Sequence, residues 1–399
     1  MTNELKKVPE LRFPEFNGEW EKKRLGEVVN YKNGGSFESL VKNHGVYKLI
    51  TLKSVNTEGK LINSEKYIDD KCVETLRNDT LVMILSEQAP GLVGMTAIIP
   101  NNNEYVLNQR VAALVPNQFI DSQFLSKLIN RNQKYFSVRS AGTKVKNISK
   151  GHVESFNFLS PDYTEQQKIG EFFSKLDRQI ELEEQKLKKL EEQKKGYMQK
   201  IFSQELRFKD EKGNYYPEWE SRYLNELCLI NPKVDQVPNS FLYIDLESVN
   251  NGKIEKIKEV NKINAPSRAQ RLAKKYDVFY QTVRPYQKNN FINLSNRNDI
   301  VVSTGYAQLR PSVQFYYLYS LLLTNSFMNK VLVKCTGTNY PAINSTDLSL
   351  IQILSSSVFE EQEKIGNFFS KLDELINKQN QKIDGLKKRK RGFLQKMFV

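Results

Sequence analysis

The most constraining feature of the sequence is a 38-residue segment of helical pattern that occurs twice. Residues 165–202 and 361–398 align at an offset of 196 without a gap, and 20 of the 38 positions are identical. Similarity of that extent at a fixed offset indicates two copies of one unit. Since each copy ends in this segment, we expect the order globule, helix, globule, helix along the 399 residues.

Shorter repeats place a similar globule before each helix. Leu11-Arg12-Phe13 recurs as Leu206-Arg207-Phe208, and the two tryptophans, Trp20 and Trp219, stand in matching Glu-Trp-Glu runs. Short runs rich in β-branched and aromatic residues predict strands, and longer apolar stretches predict helices. The strands are expected at 80–85, 112–115, 278–280 and 300–302, and the helices near 121–137 and 314–333. Each globule is therefore predicted to be mixed α/β, with a half-barrel or curved sheet favoured over a doubly wound one.

Each repeated helix carries one apolar seam with the 3/4 spacing of a coiled coil. A lysine, Lys194 or Lys390, interrupts each seam at the same place. An exposed stripe of this length would aggregate, so each seam needs a partner, and the other copy is the obvious one. The seam residues are Ile169, Phe173, Leu176, Ile180, Leu187, Leu190 and Tyr197 in the first helix, and Ile365, Phe369, Leu372, Ile376, Ile383, Leu386 and Phe393 in the second.

The chain connection favours antiparallel packing of these two helices. Each is a rod of roughly 57 Å, and each globule must return the chain to the start of the next helix. The predicted fold class is thus α+β, with two similar mixed α/β domains separated by an antiparallel coiled coil with pseudo-twofold symmetry. The predicted divisions are 1–163, 164–204, 205–358 and 359–399. The alternative is that each helix packs only on its own globule.

The charge balance points to a polyanionic partner. Lys+Arg 60 against Asp+Glu 46 leaves a net charge of +14, which favours nucleic acid, with a membrane surface as the rival. No apolar run approaches the roughly 20 residues that span a bilayer, and the first residues lack the apolar stretch of a secretory signal. The cysteines Cys72, Cys228 and Cys335 lie far apart. We therefore expect a cytoplasmic protein without a membrane segment.

Catalytic and metal-binding patterns are weak in this sequence. The two histidines, His44 and His152, have no Cys, Asp or Glu at metal-ligand spacing, and no phosphate-binding loop with a Lys-Ser/Thr end is present. Asp162, Glu192 and Lys194 resemble a loose nuclease pattern, but Glu and Lys are ordinary residues of a coiled-coil surface. We expect no metal and no catalysis in this chain. A stand-alone nuclease acting through these three residues is the rival.

Matching loops of the two globules carry the residues that favour DNA binding. A Gly-Thr turn lets the backbone approach a phosphate, and Lys, Asn, Tyr and Arg side chains can reach phosphates or base edges. The alternative is a polar turn with solvated lysines. The candidates are Arg139, Thr143, Lys144, Lys146 and Asn147 in the first loop, Thr338, Asn339 and Tyr340 in the second, and Gln88, Arg110 and Arg284 elsewhere.

With these motifs the sequence resembles the specificity subunit of Type I restriction–modification systems. The resemblance is carried by the duplicated segments 165–177 and 361–373, the tails 196–202 and 392–398, the opening 11–20 and the Val283-Arg-Pro-Tyr286 run. It implies that each globule reads one half of a split site in double-stranded DNA. It also implies that the helices set the spacer and dock two methyltransferase subunits, with motor–nuclease subunits for restriction.

The same resemblance implies that the chemistry belongs to the partners. They would use S-adenosylmethionine for adenine N6 methylation, and ATP and Mg²⁺ for cleavage, whereas this chain would hold no cofactor. The sequence leaves two other interpretations open. One is an orphan bipartite DNA-binding protein without modification partners, and the other is a coiled-coil adaptor whose positive charge is incidental.

Overall fold

The structure is a computed structural model, and it describes residues 7–69, 73–86, 90–142, 145–233 and 236–399. The chain forms two compact units, one of residues 1–184 and 382–399 and the other of residues 185–381. Each unit thus contains one globule and a part of each long helix. The division predicted from the sequence treats the helices as segments of their own, and it stays a prediction.

Short, mostly antiparallel strands build the globule of the first unit. The strands are β1 Glu21–Arg24, β2 Val29–Asn33, β3 Tyr47–Ile50, β4 Tyr67–Ile68, β5 Leu81–Ile84, β6 Thr96–Ile98, β7 Tyr105–Leu107, β8 Val111–Pro116 and β9 Asn157–Ser160. One sheet has the strand order β2-β8-β5-β6, β3 pairs with β4 antiparallel and with β7 in parallel, and β1 pairs with β9. β5 and β8 confirm the strands predicted at 80–85 and 112–115.

The described part of the first globule also contains four short α-helices, and the long helix follows its last strand. The apolar stretch at 121–137 forms two helices rather than one, because the chain breaks at Asn132, whose backbone leaves the helical region. The first of the two begins where the Asp121 side chain accepts a hydrogen bond from the Phe124 N–H at 2.8 Å. The helices are α1 Leu25–Val28, α2 Ser122–Arg131, α3 Gln133–Val138, α4 Lys150–Glu154 and α5 Tyr163–Phe202.

The second unit repeats this plan with larger sheets. The strands are β10 Glu220–Tyr223, β11 Cys228–Ile230, β12 Ser240–Ile244, β13 Val249–Asn250, β14 Lys253–Ile254, β15 Lys258–Asn261, β16 Ala269–Leu272, β17 Val278–Gln281, β18 Phe291–Ile292, β19 Ile300–Ser303, β20 Tyr306–Pro311 and β21 Gln352–Ser355. The sheets of the second unit have the orders β11-β20-β17-β18 and β15-β12-β19-β16, and the pair β10-β21 matches β1-β9. β17 and β19 confirm the strands predicted at 278–280 and 300–302.

The helices of the second unit follow the same order as those of the first. The predicted stretch at 314–333 is again divided in two, here by Thr324, whose hydroxyl accepts a hydrogen bond from the Phe327 N–H at 3.2 Å. The helices are α6 Leu224–Leu227, α7 Phe315–Leu322, α8 Asn325–Lys334, α9 Ser345–Ser349 and α10 Phe359–Lys396. No helix in the described part of the chain combines the length and the apolar character needed to cross a membrane.

The repeated Glu-Gln-x-Lys-Ile-Gly motif joins each long helix to its globule. The Gln166 side-chain oxygen accepts from the backbone N–H of Asp121 at 2.9 Å, and Gln362 accepts from Gln314 at 3.2 Å. Four residues further along each helix a glycine allows close approach. A Cβ on Gly170 would lie 2.5 Å from an Asp121 side-chain oxygen. The motif is therefore repeated because it seats the N-terminal end of α2 or α7 against the long helix.

Candidate DNA interface and helix seam

Two equivalent loops carry the candidate DNA-binding residues, and each is closed by paired backbone hydrogen bonds. Ala141 and Asn147 exchange two N–H···O bonds of 2.9 Å in the first globule, and Thr336 and Ala342 do the same in the second. Each loop also pairs with the segment that follows the central strand β5 or β17. Ile148 donates to the Leu85 carbonyl at 2.9 Å, and the matching bond in the second globule is 3.0 Å. Loops distant in sequence thus form one surface in each globule.

In the second globule this surface brings Arg284 and Tyr340 together. The guanidinium carbon of Arg284 lies 4.2 Å from the centre of the Tyr340 ring, a cation–π distance. The Arg284 N–H donates to the Pro341 carbonyl at 2.8 Å, which fixes the two loops to each other. Tyr340 is 63% exposed, and Thr338 and Asn339 are exposed beside it. The three candidates of the second loop, Thr338, Asn339 and Tyr340, therefore lie on one surface with Arg284, which was predicted from a different loop.

In the first globule the predicted residues have more varied positions. Lys146 is exposed on the loop, whereas the Asn147 side chain accepts from the Ser86 hydroxyl and donates to the Val145 carbonyl at 3.2 Å. Asn147 therefore holds the loops together. Arg139 is exposed and stacks 3.7 Å from the Tyr135 ring centre. The predicted residues Gln88, Thr143 and Lys144 lie outside the described residues.

Arg110 occupies the turn between β7 and β8 and is exposed there. Its carbonyl accepts from the Leu85 N–H at 3.0 Å, which places the turn next to the loop that follows β5. Together with Lys53, Lys66 and Gln109 it lines a shallow cavity of about 230 Å³. Sequence reasoning missed these two lysines, because Lys53 follows β3 and Lys66 precedes β4, and only the folded sheet brings them to Arg110.

Arg268 is a third residue that sequence reasoning did not single out. Its carbonyl accepts from the Thr304 N–H at 2.9 Å, in the turn between β19 and β20. The next residue of that turn, Gly305, accepts from the Thr282 hydroxyl at 2.8 Å, and Thr282 lies two residues before Arg284. A continuous set of contacts thus links the exposed Arg268 to the candidate surface of the second globule. Its position beside this turn has no local sequence signal, since the contact comes from strand pairing.

The predicted seam residues fall into two groups. At the start of each long helix they belong to the core of the globule: Ile169 and Phe173 pack with Phe124 in the first unit, and Ile365 and Phe369 pack with Tyr317 in the second. Further along, Leu176, Ile180 and Leu386 form a helix–helix cluster with Phe393. Each long helix therefore packs on its own globule in its first turns, as the alternative predicted, but not along the rest of its length, where the first unit has helix–helix packing. Ile383 is also buried and Ile376 nearly so; Leu187, Leu190 and Leu372 are half-buried, and Tyr197 is 38% exposed.

Ion pairs occupy the places where lysine interrupts the seams. Lys390 Nζ lies 2.5 Å from one oxygen of Asp177 in the first unit, and Lys194 Nζ lies 2.6 Å from Asp373 in the second. A second contact in each unit fixes the direction of the helices: Lys382 pairs with Glu183 in the first unit, and Tyr197 packs edge-on against Phe368 in the second. In both units the residue numbers of the contacts rise along one helix as they fall along the other, so the helix segments within each unit are antiparallel. The two aspartates occupy the same place in the repeat, as the two lysines do.

The second partner of each aspartate differs between the units. Lys127 of α2 approaches the other oxygen of Asp177 at 2.5 Å, whereas Asp373 accepts from the Tyr316 hydroxyl at 2.8 Å. Burial opposes ionisation of Asp177, but Lys127 and Lys390 outweigh it and hold its pKa below the ordinary value. Burial in turn lowers the pKa of Lys127, against the attraction of Asp177. We regard the cluster as ionised at neutral pH, because one carboxylate is shared by two cations.

The nuclease-like residues have structural roles in the same helices. The Asp162 carboxylate accepts from the Glu165 N–H at 3.0 Å and caps α5. Lys194 is engaged by Asp373, and Glu192 lies one helical turn from Lys188 at 3.9 Å. A helix cap, a seam ion pair and a surface pair account for all three.

Comparisons with known proteins agree with this architecture. The family model described as the Type I restriction modification DNA specificity domain matches residues 17–192 and 216–388. The S subunit of a Type-I restriction-modification system from M. genitalium has a TM-score of 0.65 and 17% identity, over 98% of this chain and 99% of that one. A structure from work on complex assembly and conformational transition of the type I R-M system gives 0.55 and 16%, over 95% and 97%.

Proposed function

Because the chain belongs to the family of Type I restriction–modification DNA specificity proteins, we propose that its two loop surfaces read the two halves of one split DNA site. The chain is the non-catalytic specificity subunit of such a system, and methylation and cleavage belong to other subunits. It binds DNA and assembles with those subunits.

The repeated loop geometry is the observation that supports the assignment to two readers. Both loops are closed by the same backbone pairs and packed on the segment after the same strand, so both would meet DNA in one orientation. Their exposed side chains differ: Lys146 and Arg139 stand on the first, and Asn339 and Tyr340 on the second. Two loops with the same backbone geometry but different donors and acceptors suit two half-sites of different sequence.

The long helices would set the distance between the half-sites and dock two methyltransferase subunits. Tyr163 and Phe359 support this docking, because they occupy equivalent places at the starts of α5 and α10 and are 43% and 56% exposed. Exposed aromatic residues are enriched in interfaces. These partners would use S-adenosylmethionine to methylate adenine N6, and restriction subunits would add ATP- and Mg²⁺-dependent cleavage.

The test is to map N6-methyladenine in a methylation-free host that expresses this chain with a Type I modification subunit from the same source. We expect methylation of one split motif. Lys146→Ala should relax one half of the motif, and Asn339→Ala should relax the other. No new methylation, with the partner shown to be folded and bound, would favour an adaptor. Equal relaxation of both halves by one substitution would contradict the two-reader proposal.

A further inference from the structure

Arg284 has an unusual backbone conformation for its residue type. Its φ of 53° and ψ of 55° lie in the left-handed region, which L-residues other than Gly, Asn and Asp seldom occupy. The next residue is Pro285, and a residue before proline normally adopts an extended conformation. Glycine would suit this place better, so the arginine side chain needs a reason to be there. Strained residues of this kind cluster at functional sites.

Within the described residues the Arg284 guanidinium has an aromatic partner and no carboxylate. Arg297 and Arg310 of the same globule each form bidentate contacts, with Asp299 and Asp277 at 2.6–2.9 Å. Arg284 instead lies against the Tyr340 ring. A stacked guanidinium keeps its planar edge and N–H donors available, and the stack orients that edge.

The loop that presents this arginine is held rigidly from beneath. The buried Gln281 side chain donates to the Val283 carbonyl and to the Gln287 side chain, both at 2.8 Å. Its oxygen accepts from the Asn289 N–H at 3.2 Å. The Tyr340 loop is fixed by its own pair of backbone bonds and by the Arg284 N–H. The two side chains are therefore positioned before any ligand arrives, as a base-reading pair requires.

We propose that Arg284, oriented by the Tyr340 ring, reads a guanine in the half-site bound by the second globule. An arginine edge matches the guanine O6 and N7 acceptors in a bidentate manner, and this is the commonest base-specific contact in the major groove. Tyr340 acts as a positioning residue, since it holds the guanidinium plane. The inference rests on the proposed function of the chain and names one base that its second globule recognises.

The test uses the chain in complex with its modification subunit and duplexes that carry the mapped motif with each base pair varied in turn. Arg284→Gly removes the side chain and suits the backbone, so we expect no loss of thermal stability. Discrimination at one G·C pair should fall by about 5- to 150-fold, with the other positions unchanged. Tyr340→Ala should weaken discrimination at the same pair, and Tyr340→Phe should retain it, because only the ring is required.

Replacing that guanine by 7-deazaguanine tests the contact itself. The loss of N7 should weaken binding by wild type and have no effect on the Arg284→Gly variant. Lys288→Gly is the matched control: Lys288 also has a positive φ, of 54°, but its ammonium group binds the Leu323 carbonyl and Asn325 at 2.9 and 2.8 Å. This control should keep the full base preference.

Two outcomes would overturn the inference. A uniform loss of affinity for every sequence, with a salt dependence reduced by about one phosphate contact, would make Arg284 a backbone contact. An unchanged motif and affinity would place it outside the interface. The absence of any split motif in wild type is a different result, since it would count against the proposed function.

Discussion

Removing the Asp177 carboxylate should destabilise the first unit more than removing its repeat equivalent destabilises the second. Asp177→Ala leaves Lys127 and Lys390 facing each other, with side chains only 14% and 17% exposed. At an effective dielectric constant near 20, two unit charges repel by roughly 3 kcal/mol at a separation on the order of 6 Å. Loss of one partner of a buried pair costs about 3–5 kcal/mol. Since both lysines retain some solvent access, we expect about 2–3 kcal/mol.

Asp373→Ala is the matched comparison. It leaves one cation, Lys194, and the Tyr316 hydroxyl without an acceptor. A single partly exposed lysine can turn toward water, so we expect a loss of about 1–2 kcal/mol. For a unit of this size 1 kcal/mol corresponds to about 2–4 °C. Scanning calorimetry should therefore show a decrease in Tm of roughly 4–12 °C for Asp177→Ala and 2–8 °C for Asp373→Ala.

The charge argument is checked by removing all three groups of the first unit. Replacing Asp177 by Leu, and both Lys127 and Lys390 by Met, should recover most of the lost stability, because an apolar replacement of a buried ion cluster is often neutral. The reasoning would be refuted if the two alanine variants lost the same stability. It would also be refuted if the triple replacement were less stable than Asp177→Ala.

Three further predictions concern the two long helices and the residues that join them to the globules, which we call the frame. The pKa of Asp177 is lowered in the folded state. The stability that this carboxylate contributes is therefore present above the unfolded pKa of about 3.9 and is lost as pH falls through the folded pKa. The urea midpoints at pH 6 and pH 3 should consequently differ less in Asp177→Asn than in wild type. Gly170→Ala should destabilise the protein by about 1–3 kcal/mol, because the added Cβ would meet Asp121. Gly196→Ala has open space around the added Cβ and should stabilise by up to about 1 kcal/mol, so the two variants should shift Tm in opposite directions. Trp219→Phe removes the 2.9 Å hydrogen bond from the indole N–H to buried Glu361, whereas the Trp20 indole N–H has no partner among the described residues. The free energy of unfolding should therefore fall by about 1.5–3 kcal/mol more in Trp219→Phe than in Trp20→Phe, measured in the same assay.

The sequence predicted the frame because the frame is repeated. Identical residues at an offset of 196 identified the long helices, and their seam lysines were visible as interruptions. The acidic partners were also visible in principle. Asp177 and Asp373 end the repeated Ser-Lys-Leu-Asp run, and antiparallel pairing places each opposite a seam lysine. What the spacing alone could not reveal is that the first turns of each helix belong to a globule core, since a core face and a coiled-coil seam share the same period.

The candidate interface was less predictable, because it depends on which loops meet. The Gly-Thr turns predicted the two loops, but Arg284 and Tyr340 are 56 positions apart. They are brought together by backbone pairing of the two loops, which includes the Val283–Ala342 bridge and the Arg284 N–H bond to the Pro341 carbonyl. Asn147 was predicted as a DNA-binding residue, and its exposed side chain also bonds Ser86 and the Val145 carbonyl. Composition thus indicated which loops to consider, while strand pairing decides which of their side chains lie next to each other; their contact with DNA stays a prediction.

The two copies differ in the exposed side chains of their loops and agree in the glutamine and glycine that join each long helix to its globule. The buried glutamate of the repeated motif keeps its identity but not its donor: Glu165 accepts from Arg12 at 2.6 and 2.8 Å, whereas Glu361 accepts from the Trp219 indole at 2.9 Å. The same carboxylate is thus satisfied by different donors while the glutamine and glycine beside it keep their roles. Because the contacts of this glutamine and glycine do not involve the loop side chains, we expect that a new half-site can be read without a change in the way the helices join the globules. Substitutions in the loops should consequently alter base preference with little effect on Tm, and substitutions in the frame should do the reverse.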